Sequence, residues 1–186
     1  MLRYLPNAIT TLRLLLALPL GLLILRQQYE LALAVGLVAG ISDALDGFTA
    51  RKLGYFSRFG AALDPVADKT LVTITFLCLA QVGLIPWYVA LTIISRDLVI
   101  VGGALCYHWL IGPFEFAATR LSKLNMAVQI LFCVILLSAQ LFNGISTEVL
   151  GIATTVVLAV AIVSGVDYVM TWSRKAVAEK GRSPDP

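Results

Sequence analysis

Apolar residues fill six long blocks of this chain, at about 9–25, 31–50, 64–82, 86–107, 124–142 and 149–172, with short polar or turn-forming segments between them. A helix needs roughly 20 apolar residues to cross a hydrocarbon layer about 30 Å thick. The pattern therefore predicts an all-α integral membrane protein of six transmembrane helices. Pro6 and Asn7 read as a helix start, while Gly83 to Pro86 and Asn143 to Ser146 read as tight breaks. The first block resembles a signal peptide but has no small-residue cleavage site after it, so it is expected to be a retained helix.

Composition strengthens this picture. Of 186 residues 59% are hydrophobic and 13% charged, against roughly 25% charged in a soluble domain. A single membrane domain over 1–186 is expected, with 1–8 and 173–186 as its polar ends. Cys78, Cys106 and Cys133 sit in apolar surroundings without ligand-like spacing and read as small buried hydrophobes. His108 is the only histidine, which excludes a site built on several histidines.

Charge then orients the helices. Arg3 and Arg13, Arg51, Lys52 and Arg58, Arg120 and Lys123, and the tail from Arg174 to Arg182 fall on one side. The other side carries Arg26 with Glu30, an uncharged turn, and Glu148. Positive loops stay inside, so both termini are expected in the cytoplasm, within a bacterial inner membrane. The net charge of +3 needs no other explanation. The basic tail reads as a membrane-surface anchor, and no nucleic-acid partner is expected.

Against this apolar background stand Asp43, Asp46, Asp64 and Asp68. A carboxylate at bilayer depth costs about 3 kcal/mol, and four together repel one another. Asp43 and Asp46 are spaced i,i+3; Asp64 and Asp68 are spaced i,i+4, with Pro65 suited to a first turn. The short intervening loop makes their helices expected antiparallel neighbours, with the two carboxylate pairs facing each other at the cytoplasmic boundary. An all-oxygen donor set suits Mg²⁺ or Mn²⁺, and four carboxylates can hold two such ions. Such ions assist phosphoryl transfer, and a boundary site meets an amphiphile with its head in water. A cation transporter is the rival reading, but it predicts acids spread through the bilayer depth. Here they cluster at one end.

The residues form the pattern D-x-x-D-G-x-x-A-R, eight residues, then G-x-x-x-D-x-x-x-D, filled by Asp43, Asp46, Gly47, Ala50, Arg51, Gly60, Asp64 and Asp68. This resembles the CDP-alcohol phosphatidyltransferase family, as does the opening PNAITTLR. The resemblance implies a six-helix, homodimeric enzyme that transfers a phosphatidyl group from CDP-diacylglycerol to an alcohol and releases CMP. Carried over by position, it implies Asp43, Asp46, Asp64 and Asp68 as metal ligands and Asp68 as the base for the acceptor hydroxyl. Asp43, Gly47, Ala50, Arg51 and Gly60 would bind the CDP moiety.

Arg96, Arg120 and Lys123 are candidates for an acceptor's phosphate; a structural Arg96–Asp97 arrangement tying helices together is the other reading of Arg96. Glycerol 3-phosphate-using members read A-R-E where this chain has Ser95, Arg96 and Asp97, with another arginine near the position of Gly103. They read G-K-x-K-T where it has Ser122 to Met126. The S-R-D and S-K-x-N forms resemble the cardiolipin synthases of the family, which implies phosphatidylglycerol as acceptor.

Overall fold

A computed structural model describes the backbone of residues 5–53, 58–110, 120–142 and 144–180, and the side chains of 15–41, 69–103, 121–142 and 144–174. The described residues form α1 (Leu5–Leu25), α2 (Tyr29–Leu53), α3 (Arg58–Gln81), α4 (Trp87–Leu110), α5 (Arg120–Leu141) and α6 (Thr147–Lys180), without strands. Each apolar block yields one helix, and most helices outrun their block. The reason is that backbone hydrogen bonding continues wherever polar residues can follow the helix into the interface. At 34 residues, α6 is about 51 Å long at 1.5 Å per residue, so it extends well past a bilayer core. Likewise α3 starts at Arg58, about two turns before Pro65, which therefore lies outside the first turn; proline's fixed φ is helical, and the cost is one bond to residue 61.

The ends of the helices follow from local chemistry. Gly83, at φ 78°, closes α3: its N–H donates to Ala80 O at 3.1 Å, and Leu84 N–H donates to Leu79 O at 3.0 Å. That pair of bonds is a Schellman cap, whose left-handed residue glycine adopts without a Cβ clash. The same cap ends α1, with Gln28 N–H on Leu23 O and Gln27 N–H on Ile24 O, both at 2.9 Å. Here Gln27 takes the left-handed position at φ 58°. At the start of α6, Ser146 Oγ accepts from Val149 N–H at 3.4 Å, and Glu148 sits in the first turn, where the helix dipole favours an acid.

By length and composition, two segments of described residues can cross a membrane: Leu121–Leu141 at mean hydropathy 2.0 and Thr147–Arg174 at 2.5. Leu15–Leu25, Tyr29–Ile41 and Lys69–Gln81 are shorter apolar stretches. The surface is apolar: Leu18, Leu22, Val38, Leu98, Leu131, Ile152 and Val166 are all exposed. The interior, in contrast, holds Arg96, Asp97, Asn125, Gln129 and Ser164. Polar groups inside and aliphatic groups outside is the distribution a lipid solvent selects.

The packed pairs are α1 with α2 and α3, α2 with α5, α3 with α4, and α6 with α4 and α5. Leu20, Ile24, Phe76, Leu79, Val89, Ile93, Phe132, Leu136 and Val157 make the core. Phe76 of α3 stacks on Phe132 of α5, with centroids 6.0 Å apart. At this depth α1 packs on both α2 and α3, and a cavity of about 60 Å³ lies among α2, α3 and α5, lined by Leu33, Gly36, Leu71, Val72, Thr75 and Gln129. Direct α2–α3 packing, expected from the short loop, is not among the packed pairs of the described residues.

Candidate functional site

The aspartates occupy the ends of α2 and α3 joined by the 54–57 connection. Asp43 and Asp46 are on α2; Asp64 and Asp68 are on α3. Their side chains lie outside the described residues, as do those of Gly47, Ala50, Arg51, Gly60 and Arg120. The backbone nevertheless sets their phase. At about 100° per residue, Asp43, Asp46, Gly47 and Ala50 fall within about 100° of one another around α2, and Gly60, Asp64 and Asp68 within about 80° around α3. The signature is thus one face of each helix. Among the described residues no group of three or more His, Cys, Asp or Glu side chains forms a metal site.

One turn further into the bundle, the side chains are described and densely connected. Lys69, the residue after Asp68, donates from Nζ to Asp97 Oδ1 of α4 at 3.0 Å. Arg96 Nη1 donates to the same oxygen at 2.6 Å. Arg96 Nη2 donates to Ser122 Oγ of α5 at 3.0 Å and to Ser164 Oγ of α6. The Arg96 stem lies on Gly165, where a Cβ would come within 3.2 Å of Arg96 Cγ. One ionic cluster therefore joins α3, α4, α5 and α6. The side chains of Arg96 and Asp97 are only 7% and 11% exposed, so these charge-assisted bonds act in a low dielectric, where they are strongest.

The candidates for an acceptor's phosphate separate in this arrangement. Lys123 is exposed on the first turn of α5, and Arg120 opens that helix. Arg96 instead has both terminal nitrogens engaged inside the bundle. Its contacts are those of the helix-tying alternative.

Lys69 and Ser164 were not singled out by sequence patterning, whereas Ser122 entered as the first residue of the S-K-x-N segment. Asn125 Oδ1, Gln129 Nε2, Tyr168 Oη and Arg96 Nε are buried without a hydrogen-bond partner. The Tyr168 ring stacks on Trp172 at 5.4 Å. A polar residue recurring within an apolar helix was the available signal for this lining.

Residues 3–179 match the family model described as CDP-alcohol phosphatidyltransferase. Cardiolipin synthase (CMP-forming) of Rattus norvegicus is 36% identical over 154 residues, covering 74% of this chain and 51% of the relative. This chain therefore spans about half the length of that relative. The CDP-diacylglycerol–glycerol-3-phosphate 3-phosphatidyltransferase of Bacillus subtilis is 36% identical over 134 residues, 71% of this chain and 68% of the relative. A probable phosphatidylglycerophosphate synthase of Mycobacterium tuberculosis is 34% identical over 150 residues, 74% of this chain and 64% of the relative.

Proposed function

The chain belongs to the CDP-alcohol phosphatidyltransferase family, and from that membership we propose that it transfers a phosphatidyl group from CDP-diacylglycerol to phosphatidylglycerol, releasing CMP. The observation that carries this reading is the complete eight-position signature, set by helical phase on one face of α2 and one face of α3. The S-R-D and S-K-x-N segments, and the likeness to a cardiolipin synthase, favour phosphatidylglycerol as acceptor. The likeness to the Bacillus subtilis relative supports a second reading, with glycerol 3-phosphate in that role.

Four carboxylates at i,i+3 and i,i+4 spacing are a donor set fitted to two Mg²⁺ or Mn²⁺ ions. Bound there, the ions would supply charge neutralisation at the phosphoryl oxygens. Asp43, Asp46, Asp64 and Asp68 would hold them, while Gly47, Ala50, Arg51 and Gly60 would receive the CDP moiety. Asp68 accepts the proton of the acceptor hydroxyl as that oxygen bonds to the phosphatidyl phosphorus, and the bond from phosphorus to CMP breaks. No serine or cysteine nucleophile accompanies the aspartates in the way a covalent intermediate needs; Ser42, Thr49 and Thr70 are nearby hydroxyls in sequence. Arg120 and Lys123 are assigned to the acceptor's phosphate. The domain is read as a homodimer with six spans, both termini and the aspartates facing the cytoplasm.

Purified protein supplied with CDP-diacylglycerol and Mn²⁺ is expected to release CMP with phosphatidylglycerol and to form cardiolipin, as read by mass spectrometry. Release with glycerol 3-phosphate alone would move the assignment to the second reading. No release with any of phosphatidylglycerol, glycerol 3-phosphate, serine or inositol would overturn both. Asp68→Asn should abolish turnover while CDP binding persists; unchanged turnover would remove Asp68 from its role as base.

A further inference from the structure

The Lys69–Asp97–Arg96 cluster grips α3 one position beyond Asp68. On a helix, Lys69 is rotated about 100° from Asp68 and rises about 1.5 Å from it. Any contact that fixes the direction of Lys69 therefore fixes the rotation of α3 and the faces on which Asp64 and Asp68 lie. That contact is the 3.0 Å bond from Lys69 Nζ to Asp97 Oδ1.

Asp97 is itself held. Arg96 Nη1 bonds the same oxygen at 2.6 Å, and Arg96 Nη2 reaches Ser122 and Ser164. Gly165 admits the Arg96 stem with little room to spare. The carboxylate that receives Lys69 is thus held in place by contacts shared among α4, α5 and α6.

We infer that Lys69 and Asp97 are positioning residues, which set the rotation of α3 so that its two aspartates meet those of α2 at metal-binding distance. This rests on the four-aspartate reading above. Magnitude supports the role. Side-chain groups sit about 5–6 Å from a helix axis, so a rotation of about 10° moves them about 1 Å. A displacement of that size can cost about a hundredfold in a tightly specified site, and loss of an outer support costs about ten- to a hundredfold in metal affinity.

Simple electrostatics predicts the opposite sign at Lys69. Removing a cation beside four carboxylates should tighten Mn²⁺ binding. Loss of positioning should weaken it, and the two effects can be told apart without any turnover.

The experiment is a Mn²⁺ titration of the full chain in detergent, followed by electron paramagnetic resonance of the free ion, with thermal unfolding in parallel. Wild type, Asp64→Asn, Lys69→Met, Lys69→Arg, Asp97→Asn and the Lys69→Met/Asp97→Asn double variant are compared. Lys69→Met and Asp97→Asn should each weaken Mn²⁺ binding about ten- to a hundredfold. The double variant should be no weaker than the worse single, because both remove one link, and Lys69→Arg should retain most of the affinity. If Lys69→Met binds Mn²⁺ as tightly as wild type or more tightly, the inference is overturned, even where the melting temperature falls. Should Asp97→Asn fail to fold, Lys69→Met and Lys69→Arg still decide the matter. Wild-type binding that is absent, or unaffected by Asp64→Asn, would instead overturn the four-aspartate reading and this inference with it.

Discussion

Gly21 of α1 packs tightly against α3, and Gly21→Ala tests whether that approach holds the bundle together. A Cβ built there lies 2.8 Å from Ile74 Cγ2 and 3.2 Å from Cys78 Sγ. Carbon atoms attract best at about 3.5–4.0 Å, so the first contact is too short by about 0.7 Å or more. Ile74 cannot swing its methyl away, because a β-branched side chain in a helix has essentially one χ1 rotamer. The helices must separate, and overpacking of this kind costs about 1–3 kcal/mol. Alanine also improves helix propensity over glycine by about 1 kcal/mol, which offsets part of the loss. Gly151→Ala isolates that gain, since no atom lies within 4 Å of a Cβ there. The stability difference between the two variants is then the packing cost alone. It can be measured by titrating SDS into mixed micelles and following helix loss. In an Ile74→Ala background the shorter of the two contacts disappears, leaving that to Cys78 Sγ, and Gly21→Ala should cost less. Equal shifts for Gly21→Ala and Gly151→Ala would refute the reasoning.

Two further outcomes follow from local geometry. Gln27→Gly relieves a left-handed residue, a conformation that costs an L-amino acid about 1–2 kcal/mol; stability in the same titration should rise by up to about 1 kcal/mol once glycine's greater unfolded-state freedom is counted. Arg96→Ala removes the three bonds that tie α4 to itself, α5 and α6, and breaking such a buried arrangement costs about 3–5 kcal/mol. The melting temperature should fall without a selective rise in the acceptor's KM. A rise in that KM at unchanged stability would return Arg96 to the acceptor's phosphate.

Much of this protein was legible before any coordinates. Each of the six apolar blocks lies in a helix of the described residues, because a helix satisfies every backbone polar group within its own segment. The eight signature positions needed only helical periodicity to fall on two faces. The caps at Gly83 and Ser146 were likewise visible as punctuation, since their chemistry is local. Only the tertiary structure decided who touches whom. Nothing in the sequence joined Lys69 to Asp97, or Arg96 to Ser164, because those bonds depend on the order in which helices pack. For the same reason the packing of α1 on both α2 and α3 was not legible in the chain. Arg96 read first as a candidate for an acceptor's phosphate, with a tie between helices as the alternative; its burial and its bonds to α5 and α6 come from the fold. Periodicity is written along one chain, whereas a charge acquires its partner only when separate helices meet.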